Sequence, residues 1–342
     1  MKNRPIVNIT KDNCLEELLD ALYKNLHRFK EFDGIAGIML DGGLSRGYGD
    51  RLSEIDVVIF LHDEAYRSYQ EKKTPVSLGI TMLDGYLYDV KLLNYEEELQ
   101  REYDSVSLWD LSYAKIVYDE KGELKALFDQ KLATKVVESK GEGLMFEAWW
   151  SYKLAGDIWI YREDPVQGHY CLNNAIKPLI SCLYIANREY IPHEKWLLHM
   201  SHSLPWKPEN YESRLAAILS TGDMSMESLR TRQKSIEQLW LEIDSYLCEK
   251  VGFKEGLNLM HKGVYTTLNK AVEKGDIPIE EWKQFSSLSA LNYEPLHTVA
   301  KLTNTHVVID KEKLETIEER EMYEWFLDIV KNVRQKKQEN MI

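Results

Sequence analysis

Two adjacent glycines, a pair of alternating acids and a third acid further along carry the chemistry of this chain. Gly42-Gly43 opens the run Gly42-Gly43-Leu44-Ser45-Arg46-Gly47-Tyr48-Gly49, and Ser53-Glu54-Ile55-Asp56 follows shortly after. Glycine lets a backbone approach a bound oxyanion with its N–H groups uncovered. Ser45 or Ser53 would add a hydroxyl donor, and Arg46 and Arg51 would reach phosphate charge. Period-two alternation sends Glu54 and Asp56 to one side of a strand while Ile55 and Val57 enter the core. Two such carboxylates repel unless a cation lies between them, and hard oxygen ligands suit Mg²⁺ at a phosphate.

Short apolar runs must position these groups. Residues 34–41 predict a buried strand and residues 57–61 a second one. The stretch from Thr81 to Leu93 predicts a hairpin closed by Asp84-Gly85. On its second arm Asp89 is a lone acid among Leu87, Val90 and Leu92, a place where an acid has either a task or a buried partner. Lys91 shares the face of Asp89 and reads equally as its ion-pair partner or as a phosphate ligand. An amphipathic helix is predicted over residues 11–31, capped by Thr10 or Asp12, with Leu15, Leu18, Leu19, Leu22, Tyr23 and Leu26 as its apolar stripe. A strand from Lys115, a turn at Gly122 and a helix over 123–135 follow.

Gly42, Gly43, Glu54, Asp56 and Asp89, with Gly47 and Ser53 between them, resemble the motif of the nucleotidyltransferase superfamily with the polymerase-beta-like fold. Glu54 stands where that pattern usually has Asp, and the resemblance covers roughly residues 30 to 130. A looser likeness runs from Leu172-Asn173 through Ala186-Asn187-Arg188 and Tyr190 to Lys195-Trp196. It is similar to the helical domain of a poorly characterised bacterial group laid out like aminoglycoside nucleotidyltransferases. The resemblance implies an α+β protein: an N-terminal mixed sheet with flanking helices, then a C-terminal all-α bundle. The expected catalytic domain spans 1–138, with a polar break at 138–143, and the expected helical substrate-binding domain spans 144–342.

In the helical half, helices are predicted over 144–161, 170–187 with a bend near Pro178, 195–203, 223–249, 255–274, 279–290 and 311–337. Glu147 and, nearly two turns later, Lys153 match by position the general base and phosphate-steadying lysine of similar antibiotic-modifying enzymes. His193, Lys195 and Trp196 would border an acceptor pocket, although Trp196 reads first as core. Arg162 and His169 have a spacing reminiscent of helical ribonuclease domains, interrupted by Pro165 and Gly168. The charged last helix, with Leu314, Ile317, Met322, Trp325, Ile329 and Val333 as its seam, would close the bundle or meet a second copy as a homodimer.

The 342 residues and 44% hydrophobic content allow a large core in two domains. No apolar run is long enough for a membrane span, and no secretory signal is read at the N-terminus. Cys14, Cys171, Cys182 and Cys248 lack metal-ligand or redox spacing and fit a reducing cytoplasm. A formal charge of −13 disfavours nonspecific contact with a nucleic-acid backbone and suits a cationic small acceptor. The resemblance implies two Mg²⁺ ions on Glu54, Asp56 and Asp89, with ATP or another nucleoside triphosphate over Gly42, Gly43, Ser45, Arg46, Ser53, Lys91 and Lys153. The implied reaction moves a nucleoside monophosphate, AMP from ATP, to a hydroxyl of a small acceptor such as an aminoglycoside-like antibiotic. Asp89 or Glu147 would serve as base. Nucleotidylation of a protein or RNA in a toxin–antitoxin pair, and a silent nucleotide-binding regulator, are the competing readings.

Overall fold

The computed structural model describes residues 4–136, 141–251, 267, 270–293 and 296–316. A mixed five-stranded sheet forms the N-terminal part, in the order β3-β4-β2-β1-β5. Its strands are β1 (Ile35–Leu40), β2 (Ile55–Leu61), β3 (Gly79–Leu83), β4 (Tyr86–Asn94) and β5 (Lys115–Tyr118). Only β2 and β4 run parallel; the other neighbours are antiparallel. The predicted hairpin between β3 and β4 is present, closed by Asp84 at φ 49° and Gly85 at φ 88°, which is the two-residue, positive-φ turn that Asp-Gly favours.

Alternation along β2 assigns the two faces. Ile55, Val57, Ile59 and Leu61 are fully buried against helix α1 (Leu15–Phe29), each contributing roughly 1.5–3 kcal/mol relative to exposure. Val58 and Phe60 point the other way, into a second core with Tyr95, Leu111, Leu124 and Leu127. Leu18 and Leu22 of α1 are buried as expected, whereas Tyr23 is 58% exposed. Neither Thr10 nor Asp12 caps the helix: its N-cap position is Cys14, with no side-chain cap, and Asn13 just before it accepts the Leu15 N–H at 3.0 Å and the Gly49 N–H at 3.2 Å. One side chain thereby ties the helix start to the glycine-rich loop. Five helices complete this half: α2 (Gly42–Ser45), α3 (Asp63–Tyr69), α4 (Tyr95–Gln100), α5 (Ser105–Tyr113) and α6 (Glu123–Leu132).

The bundle begins with α7 (Gly141–Trp149), which continues through a π-helical turn at Trp150–Leu154 into α8 (Ala155–Tyr161). Asp164 caps α9 (Pro165–Ala186) by accepting the Gln167 N–H at 3.0 Å, and Pro165 takes the first turn, where its missing donor costs nothing. The helix runs unbroken through buried Pro178. α10 (Glu194–Ser201), α11 (Tyr211–Leu219) and α12 (Met226–Val251) follow, and α11 has no counterpart among the predicted helices. The sheet and these helices form one compact unit ending at Val251.

Residues from Gly252 onward form a second unit. It contains a small sheet in the order β6-β8-β7, made of β6 (Ile277–Pro278), β7 (Ala300–Leu302) and β8 (His306–Ile309), around Trp282, Val299 and Val307. The helix predicted over 279–290 is corrected to a single helical turn at Ile279–Trp282 and a 3₁₀ turn at Leu288–Asn292. Most of the helix predicted over 255–274 lies outside the described residues. So do residues 317–337 of the last helix, with its proposed dimer seam, and much of the predicted polar break. No helix among the described residues is long and apolar enough to cross a membrane.

Candidate functional site

The register of the sheet sets three acids side by side. Asp56 of β2 pairs directly with Asp89 of the parallel strand β4, and the Asp41 N–H, at the end of β1, donates to the Asp56 carbonyl at 3.0 Å. Since directly opposed residues share a face, Asp41, Asp56 and Asp89 form a row across β1, β2 and β4. Gly42 turns the chain away immediately after Asp41. Its φ is +67°, and a Cβ there would overlap the Asp56 carboxylate, so both conformation and space require glycine.

A cleft of about 340 Å³ opens over this row. Of the expected site residues, Gly42, Gly43, Arg46, Ser53, Glu54, Asp56, Asp89 and Lys91 line it. His193, Lys195 and Trp196, from the start of α10, line it too. Ser45 does not: it is buried, and its hydroxyl donates to the Gly42 carbonyl at 2.8 Å, bracing the turn from behind. Ser53 lines the cleft, yet its hydroxyl donates to Asp50 at 3.2 Å. Glu147 is exposed on α7 and Lys153 pairs with Asp157 at 3.1 Å, and neither is among the residues around the cleft. Arg162 is exposed while His169 is 1% exposed, so they do not form one surface pair.

Electrostatics single out Asp56. Burial first, then the charges of Glu54, Asp41 and Asp89, push its carboxyl from 3.8 up to about 6, with Lys91 pulling the other way. Lys91 Nζ lies 2.7 Å from Asp89 Oδ2. Burial works against the ammonium, but the hydrogen bond and the charges of Asp89, Asp56 and Asp41 outweigh it and raise the Lys91 pKa. Among the described residues no group of three or more His, Cys, Asp or Glu side chains is gathered closely enough to hold a metal ion. The expected centre on Glu54, Asp56 and Asp89 is therefore not preassembled, and the ammonium of Lys91 is what Asp89 holds.

Arg46 also departs from expectation. Its side chain is only 4% exposed, ion-paired with Asp110 of α5, and its guanidinium lies 4.2 Å from the Trp109 ring and 5.7 Å from the Trp196 ring. It thus fastens the glycine loop to α5 and α10 rather than standing free for phosphate. Burial, then Asp41, raises the Asp110 carboxyl despite Arg46. Asp41, Asp110 and Trp109 escaped the reading of the sequence. Asp41 carried a signal, as an acid closing the apolar run Ile38-Met39-Leu40; Asp110 and Trp109 reach the loop only through tertiary packing. Asp41 Oδ1 and Arg46 Nε are buried without a hydrogen-bond partner.

No protein-family model matches the chain, and no curated protein matches it. A solved structure, a nucleotidyltransferase-like protein from Exiguobacterium sibiricum, is similar over 84% of this chain and 97% of that one, with 11% sequence identity and a TM-score of 0.37. At that level the functional reading rests on the cleft itself.

Proposed function

We propose that the cleft is the active site of a nucleotidyltransferase that moves a nucleoside monophosphate, AMP from ATP, onto a hydroxyl of a small acceptor. The observation that carries the reading is the in-register Asp56–Asp89 pair beside a glycine turn that no larger residue can replace. The donor set fits Mg²⁺: the oxygens are hard, Asp56 resists ionising among like charges, and Asp41 keeps a buried oxygen without a partner. Glu54, Asp56 and Asp89 would hold the metal, which supplies neutralisation of triphosphate charge.

The chain's own groups do the positioning. Gly42 and Gly43 offer backbone N–H donors to the terminal phosphates. Lys195 and Lys91 supply mobile positive charge at the cleft wall, while Arg46 holds the loop in place. Of the two expected bases, Asp89 lines the cleft, where it would meet an acceptor hydroxyl; Glu147 is not among the lining residues. In-line transfer asks little covalent chemistry of a protein, so alignment and charge supply the acceleration. His193 and Trp196, with the excess of acids, suit a cationic acceptor with an apolar face.

The test is incubation with α-labelled ATP, Mg²⁺ and a cell extract, then separation by size. Label is expected in small products, and Asp89→Ala should reduce transfer by about a thousandfold while nucleotide binding partly survives. Label on large species would overturn the small-acceptor reading. Unchanged turnover in Asp89→Ala would overturn the catalytic one.

A further inference from the structure

We infer that Lys91 is a resident counter-ion of the carboxylate row, which a divalent cation must displace from Asp89 before the site is complete. This rests on the proposed reading of the row as a cation site and assigns a further residue to its operation.

Geometry supplies the argument. Asp89 and Lys91 are two residues apart on β4, hence on one face, and β4 runs in register with β2 so that Asp56 opposes Asp89 and Val58 opposes Lys91. The ammonium therefore sits beside the row and reaches back to Asp89 Oδ2 at 2.7 Å. The two partners differ in freedom: the Asp89 side chain is 16% exposed, the Lys91 side chain 56%. The carboxylate is held by its strand, whereas the lysine has open space to leave into. Two cations competing for one carboxylate repel each other, so a metal arriving at Asp89 and the ammonium at Asp89 exclude one another.

The device has two consequences. Without metal the row is partly neutralised from within, which lowers the cost of crowding Asp41, Asp56 and Asp89. With metal, a released ammonium on a long stem stands at the cleft wall, where the charge of a triphosphate would meet it. Lys91 is thus a positioning residue whose place depends on whether the cation has arrived.

The experiment uses the full chain and Mn²⁺ alone, with binding measured by calorimetry and by the loss of free-ion electron paramagnetic resonance. Lys91→Met and Lys91→Gln, both neutral, should bind Mn²⁺ about tenfold more tightly than the wild type, and Lys91→Arg should stay within about twofold of it. Thermal melts of all variants confirm that folded protein is being compared. Equal or weaker Mn²⁺ binding in both neutral variants overturns the inference, as does absence of Mn²⁺ binding in every variant. Because no nucleotide is present, tighter binding with no transfer activity upholds the inference while rejecting the nucleotidyltransferase reading. Transfer activity with unaltered Mn²⁺ affinity does the reverse.

Discussion

Two of the places in the first unit where charge is buried are finished differently. In the bundle, Arg232 of α12 is 2% exposed. Its Nε donates to the Ile218 carbonyl at 2.7 Å, Nη1 to the His169 carbonyl and Nδ1, both at 3.2 Å, and Nη2 to Asn173 Oδ1 at 2.6 Å. Those acceptors are neutral and fixed on packed helices. In the sheet, the acids crowd one another, one Asp41 oxygen has no partner, and the cleft stands open over them. A satisfied buried charge holds a fold together; a dissatisfied one facing a cleft is a place for something to bind.

The sharpest way to break that comparison is at Asp56. Asp56→Asn should lower transfer by about a thousandfold or more while leaving the protein folded and raising its melting temperature near neutral pH, because the amide removes a charge that its neighbours oppose. A variant that melts lower than the wild type would mean that the row is stabilising after all. The same residue sets a pH signature. The folded chain keeps the Asp56 proton up to about pH 6, the unfolded chain only to 3.8, so between them the folded state binds more protons. Stability contributed by this group therefore falls as pH rises through that window, and urea melts of Asp56→Asn should lack the slope.

Arg232→Met should behave oppositely. Stranding the buried acceptors of Ile218 and His169 costs about 3 kcal/mol in urea denaturation, with transfer per folded molecule unaltered. A direct loss of transfer at full folding would join the two regions functionally. The smallest effect belongs to Ser45→Ala, expected to cost about 1 kcal/mol through the lost bond to the Gly42 carbonyl. A change in nucleotide KM without that loss of stability would return Ser45 to phosphate binding.

What could be read from the sequence was what depends on near neighbours in the chain. Asp56 of the Glu54–Asp56 alternation, the Asp84-Gly85 turn and Asp89 are periodic or turn signals that found their place in the sheet, whereas Glu54 lies just before β2. The burial of Arg46 could not be read, because it is made by Trp109 and Asp110 more than sixty residues away and by Trp196 beyond them. The strands of the second unit are two to four residues long, too brief for alternation to register against helix-forming composition. Lys91 lay between two readings because an ion pair on one strand face and a free ligand there have the same sequence.

The parallel pairing of β2 with β4 carries one last consequence. Tyr88 and Val90, on either side of Asp89, are fully buried or nearly so against α1. A slip of one residue in β4 would lift both into water and turn Asp89 inward. A misfolded sheet and a disarmed cleft are therefore the same error, and whatever penalises oil in water also proofreads the aim of the acid.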